Sequence, residues 1–272
     1  MDTDSDLLRP YAAERDALLQ RVLGVIEGDQ RVRAGWLWGS FGRGEQDALS
    51  DIDLWLAVAD EELAAIAGVP QAFVEACGPP LITVAAPQNA PERGAYLLAI
   101  YAGQHGPHQV DWYWQAESAA RVPAAIRPFL ERGGLPRTEA PPAFPGGAAP
   151  EPDAPERRGQ KISFFWAMAL IAAKHIARSP AQTQRPLLAF VHAQLAAAQA
   201  GLAAAAPLPI AADSADPLAR LAVLRQLAAA MTDLRPSAIA AGAPFPAGIE
   251  PQAERYFALI ERIIRDRIPL RA

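Results

Sequence analysis

The chain has 272 residues, enough for one large domain or two of ordinary size, and 51% of them are hydrophobic, sufficient for real cores. A net charge of −5 excludes the basic surface that nucleic acid selects, so no nucleic-acid partner is expected. A lone cysteine, Cys77, excludes an intrachain disulfide and a cysteine-based zinc site.

The acidic start, residues 1–6, is the opposite of a secretory signal. The longest apolar run, 162–173 between Lys161 and Lys174, is too short to span a bilayer. A cytoplasmic protein without a membrane partner is expected. Residues 10–27 read as an amphipathic helix. Pro10 suits its first turn, Tyr11, Leu18, Leu19, Val22 and Ile26 recur at helical spacing, and Gly28 ends it. Residues 32–38 are apolar and β-rich and run into a Gly39-Ser40 turn. Residues 51–58 then alternate. Ile52, Leu54, Leu56 and Val58 take one face, while Asp51 and Asp53 share the other, roughly 7 Å apart.

A helix over 59–76 is expected, opened by Asp60, Glu61 and Glu62 and closed by Gly78-Pro79-Pro80. A short strand follows at 81–85 and a loop at 87–93. Residues 95–101 and 108–115 form strands on either side of a Gly-Gln-His-Gly-Pro turn, a hairpin pattern. Asp111 stands mid-strand between Val110 and Trp112, where a charge is costly unless something pairs with it. Residues 132–158 are rich in Pro and Gly and read as a linker. Beyond it, alanine-rich helices are expected at 157–178, 186–203, 217–232 and 251–267. The fold class is α+β: a small mixed-sheet domain over 1–132, a linker over 133–156, and an all-helical domain over 157–272. A cleft is expected where the two domains meet.

The stretch Gly39-Ser40, ten residues, then Asp51-Ile52-Asp53 closing Ser50-Asp51-Ile52-Asp53-Leu54 has a chemical logic. Gly39 allows close backbone approach to a phosphate, and Ser40 with the following N–H groups can donate to it. Two carboxylates on one strand face repel each other, and a divalent cation relieves that repulsion. The segment resembles the signature of the DNA-polymerase-β-like nucleotidyltransferases, and the layout is closest to the aminoglycoside and lincosamide members. That resemblance implies a nucleotidyltransferase domain with a helical substrate-binding domain. It also implies two Mg²⁺ ions held by Asp51, Asp53 and Asp111, which are then the catalytic and metal residues. Gly39, Ser40 and Arg43 would bind the nucleotide.

The implied reaction moves a nucleoside monophosphate, AMP by preference, from an NTP such as ATP to a hydroxyl on a small molecule of the aminoglycoside type, which would make the protein an antibiotic-resistance enzyme. The alternatives are a protein-AMPylating enzyme of toxin–antitoxin type and a catalytically silent nucleotide-binding regulator. The chain holds two lysines, Lys161 and Lys174, thirteen residues apart and off a common helical face. They read as ordinary helix-end cations, and Glu45 and Asp47 as solvated loop charges. His175 and His192 show no metal spacing.

Overall fold

A computed structural model describes residues 3–145, 154–178, 181–202 and 214–270. Helix α1 (Thr3–Gly28) leads into strand β1 (Val32–Leu37), the single-turn helix α2 (Gly39–Arg43) and strand β2 (Ile52–Val58). Two short helices, α3 (Asp60–Gly68) and α4 (Pro70–Glu75), precede β3 (Pro80–Ala85), β4 (Gly94–Tyr101) and β5 (His108–Ala116). Three two-residue strands follow: β6 (Val122–Pro123), β7 (Leu130–Glu131) and β8 (Arg137–Thr138). Helices α5 (Ala154–Arg178), α6 (Ala181–Gly201), α7 (Pro217–Asp233), α8 (Arg235–Ala240) and α9 (Ile249–Asp266) complete the described chain.

The protein is thus a mixed α/β structure with a mixed sheet and a helical C-terminal region. The sheet has six strands in the order β3-β4-β5-β2-β1-β7. β2 and β5 run parallel, and the flanking pairs β1–β2, β4–β5 and β3–β4 are antiparallel. The β4–β5 hairpin is present, with Leu98 opposite Asp111.

Alternation along the strands loads both faces of this sheet. On one face Leu54, Leu56, Val58, Val110, Trp112 and Trp114 pack with Leu18, Val22 and Ile26 of α1 and with Ile66, Phe73 and Val74 of α3 and α4. On the other, Ile82, Val84, Leu98 and Ile100 join Leu8 and Tyr11 of α1 in a cluster with Ile162, Phe165, Trp166, Tyr256 and Phe257 of the helical region. The β1–β2 end of that second face carries Trp36 and Trp55, covered by Ala120, Val122, Ile126 and Leu135. With both faces covered, β5 is an interior strand, and residues that alternate apolar and polar in sequence are buried on either side.

Several boundaries depart from the sequence reading. α1 begins at Thr3 and carries Pro10 inside it, because Leu8 is buried in the core alongside Tyr11 and tertiary packing holds the extra turns. The helix expected over 59–76 is two helices, broken at Val69 (φ −139°). Pro70 disfavours the α conformation in the residue before it, and starts the next helix at its own first turn. α6 starts at Ala181 with Pro186 inside it, and the residue 203 end of the expected helix lies outside the described residues, as do 146–153 of the Pro/Gly-rich stretch. Within that stretch β8 pairs with β6, and Phe144 rests on Trp55 and Tyr113. α8 was not anticipated.

Candidate active site

Strand register brings together residues far apart in sequence. Asp53 on β2 is the direct partner of Asp111 on β5, across a parallel pair spaced about 4.8 Å apart. Asp51 lies two residues before Asp53, so it shares that face by alternation. The face is the one that meets the helical region, and α5 reaches it directly: Lys174 Nζ donates to Asp51 Oδ2 at 2.6 Å. Lys174 is buried, which corrects its reading as a helix-end cation. Lys161 lines a separate cleft against β3, with Thr83, Ala85 and Phe164.

The turn ahead of β2 is held from three sides. Arg15 of α1, itself buried, donates to the backbone carbonyls of Asp47 (2.6 Å) and Ala48 (3.3 Å). Arg178 of α5 pairs with the Asp47 carboxylate and also reaches the Ser50 hydroxyl. Ala48 N donates to the carbonyl of Leu270 at 3.0 Å. Asp47 additionally accepts from Leu49 N at 2.9 Å, so it is a structural anchor of the turn rather than the solvated charge read from sequence. Glu45 is exposed, and Arg43 Nε donates to it at 2.7 Å.

Gly39 has φ +56°, a conformation that glycine adopts without steric cost. A Cβ there would collide with Asp53 Oδ2, so the Gly-Ser turn and the carboxylate are packed against each other. Trp38 N donates to Asp53 O at 2.8 Å and fixes where the strand ends and the turn begins. α2 then closes with Glu45 N donating to Ser40 O at 2.8 Å.

The electrostatics follow from crowding. Burial pushes the Asp53 carboxyl up to about 8, with the charges of Asp111 and Asp51 adding to it. Burial pushes Asp111 up to about 6, reinforced by Asp51 and opposed by hydrogen bonds from Tyr96 Oη to Oδ1 and from Gln109 Nε2 to Oδ2 (2.6 Å). For Asp51 burial also acts upward, but the Lys174 ammonium outweighs it and holds the carboxyl below the usual range.

The donor chemistry suits a hard divalent cation. The cluster offers carboxylate oxygens without thiol or imidazole, the set that Mg²⁺ takes. Two of its members carry a charge strain that a cation would relieve. Two of the three carboxylates have protein partners: Lys174 sits on Asp51, while Tyr96 and Gln109 occupy Asp111. Among the described residues, no group of three or more His, Cys, Asp or Glu is arranged to hold a metal ion.

Sequence reasoning missed Lys174, Tyr96, Gln109 and Arg178. The first and last carried a weak signal, as cations on one helix. Tyr96 had none, because a tyrosine in a strand reads as core. Among the described residues no helix is long and apolar enough to cross a membrane. No family model matches the chain, and no curated protein matches it either.

Proposed function

We propose that the protein is a metal-dependent nucleotidyltransferase of the DNA-polymerase-β-like kind, acting on a small-molecule hydroxyl in the cytoplasm. One observation carries this reading: Asp53 and Asp111, separated by 58 positions in sequence, stand side by side on parallel strands with Asp51 on the same face, against a Gly39 turn too tight for a side chain. Asp51, Asp53 and Asp111 would hold Mg²⁺. When bound, the ions would supply charge neutralisation for the attacking and departing oxygens of an in-line displacement.

The chain's own groups do the rest. The Gly39-Ser40 turn offers backbone and hydroxyl donors to the phosphates of the NTP, ATP by preference. Lys174, brought to Asp51 by α5, is the cation best placed to turn to a phosphate oxygen. Arg43 is committed to Glu45 at an exposed position, and a nucleotide contact from it requires that pair to open. In the transfer, the acceptor oxygen forms a bond to the α-phosphorus while the bond to the bridging oxygen breaks and pyrophosphate leaves. The hydroxyl proton passes to a nearby base.

The test is pyrophosphate release with Mg²⁺, each NTP in turn and a panel of aminoglycoside and lincosamide acceptors. Turnover with one acceptor class, lost in Asp53→Asn and Asp111→Asn, is the expected result. No release with any acceptor from a folded, nucleotide-binding protein would contradict it.

A further inference from the structure

Two side chains donate to the Asp111 carboxylate, one from β4 and one from β5 itself, and neither belongs to β2. Leu98 of β4 is the direct partner of Asp111, and Tyr96 is opposite Tyr113, so Tyr96 is the diagonal neighbour of Asp111 on the same face. Diagonal neighbours stand about 7–8 Å apart, a distance that an aromatic side chain spans. Tyr96 Oη donates to Asp111 Oδ1. Gln109 lies two residues before Asp111 on β5, and its Nε2 donates to Oδ2 at 2.6 Å.

Both donors are placed by the sheet. Tyr96 is buried in the cluster that includes Ile82 and Leu98, and its ring lies 5.0 Å from that of Tyr113. Gln109 stands one step before the Ile52–Val110 pair, across from Asp51, yet it turns along its own strand. The group that meets Asp51 is Lys174.

Asp111 is 5% exposed, so these bonds offset the cost of burying its charge. That need would be met by donors from any direction. Here each oxygen receives one donor, and an ionised carboxylate has about four lone-pair positions, so about two are left. The neighbour on the side that sends no donor is Asp53, about 4.8 Å away across the parallel pair. The terminal torsion of an aspartate is broad, and a single bond would leave the carboxylate free to turn. Bonds to both oxygens fix its plane.

We propose that Tyr96 and Gln109 are positioning residues that act through Asp111, holding it in the orientation that lets it share a divalent cation with Asp53. Their part in a metal site rests on the proposed metal-dependent transfer. Neither residue touches the ion or the substrates. Hydrogen-bond partners of metal-ligating carboxylates act in this way, and the loss of one typically costs about 10- to 100-fold in metal affinity. β4, which carries none of the three carboxylates, thereby takes part in the site.

The experiment titrates the full chain with Mn²⁺ in the presence of a non-hydrolysable ATP analogue and follows the protein-bound ion by electron paramagnetic resonance. Asp111→Asn identifies the Mn²⁺ affinity that depends on Asp111. Tyr96→Phe keeps the ring and removes only the hydroxyl, and it should weaken that affinity about 10- to 100-fold. Gln109→Met keeps the length of the side chain and removes the donor. It should weaken the same affinity, and it keeps the test valid if Tyr96→Phe folds poorly. Each change should be nearly silent when added to Asp111→Asn, because a residue that acts through Asp111 then has nothing left to position.

A role confined to stabilising the fold would lower the melting temperature of both variants and leave Mn²⁺ affinity where it was. Wild-type Mn²⁺ affinity in either folded variant would therefore overturn the proposal, as would a loss that adds in full to that of Asp111→Asn. If Asp111→Asn loses the ion while Tyr96→Phe keeps it, the metal-site reading stands and only the positioning role is lost. If the wild type holds no Mn²⁺, or Asp111→Asn holds it equally well, that reading has failed and the positioning role falls with it.

Discussion

At Gly39 a methyl group would occupy the space of the Asp53 carboxylate, and the backbone φ of +56° disfavours any other residue. Gly39→Ala is therefore expected to lower stability by about 1–2 kcal/mol in urea titration. It should lower pyrophosphate release by more, about 100-fold, because the displaced atom is a proposed metal ligand. A variant with wild-type turnover would separate the turn from the chemistry. Lys174 makes the second residue-scale case. It is buried against Asp51, and removing one partner of a buried pair costs about 3–5 kcal/mol. Lys174→Met should melt at lower temperature without metal, and Mg²⁺ should restore it more than it raises the wild type, since the ion then neutralises a charge nothing else balances. Equal Mg²⁺ shifts in both proteins would contradict this. Asp111 was legible in the sequence because an acid between Val110 and Trp112 breaks an apolar strand pattern. Lys174 was not, because its partner lies 123 positions away and only the packing of α5 reveals it.

Among the elements, β5 combines a residue of the proposed site, Asp111, with a second buried titratable group. His108 at its start is 3% exposed, and burial pushes its imidazole down to about 4, with Glu14 opposing. The unfolded chain protonates this histidine near pH 6.5 and the folded one does not, so its contribution makes the fold less stable as pH falls from about 6.5 to 4. Asp53 and Asp111 act oppositely: their raised values make the folded state bind more protons, so they add stability as pH falls through their range. The readout is therefore the difference between wild type and His108→Gln. Melting temperatures at pH 7.5, 6, 5 and 4 should show the wild type losing ground to the variant as pH drops, and a constant difference would count against a buried neutral imidazole. Elements themselves were largely legible, since strand alternation and helical spacing are local. The break at Val69 was not read from the sequence, although Pro70 marks it, because the apolar pattern runs across it. The length of α1 was not, because the packing of Leu8 is tertiary.

Across the whole molecule, one hydrophobic cluster runs from α1 and β3–β4 through α5, α7 and α9, and α5 adds Lys174 and Arg178 to the turn ahead of β2. The sheet and the helical region are expected to unfold together, so the near-ultraviolet and far-ultraviolet dichroism transitions in urea should coincide. Two separated transitions would show independent parts. This coupling was invisible in a sequence that changes composition sharply near residue 133, because composition reports what each half is made of and not what each half covers.

The cluster of Asp51, Asp53 and Asp111 is tested most directly by Mn²⁺ as a paramagnetic stand-in for Mg²⁺, titrated with a non-hydrolysable ATP analogue and followed by electron paramagnetic resonance. Wild type should bind two Mn²⁺ ions per chain, close enough to couple magnetically, and Asp53→Asn should lose the coupled signal. Uncoupled ions in the wild type, or a coupled pair that survives Asp53→Asn, would contradict a shared carboxylate site.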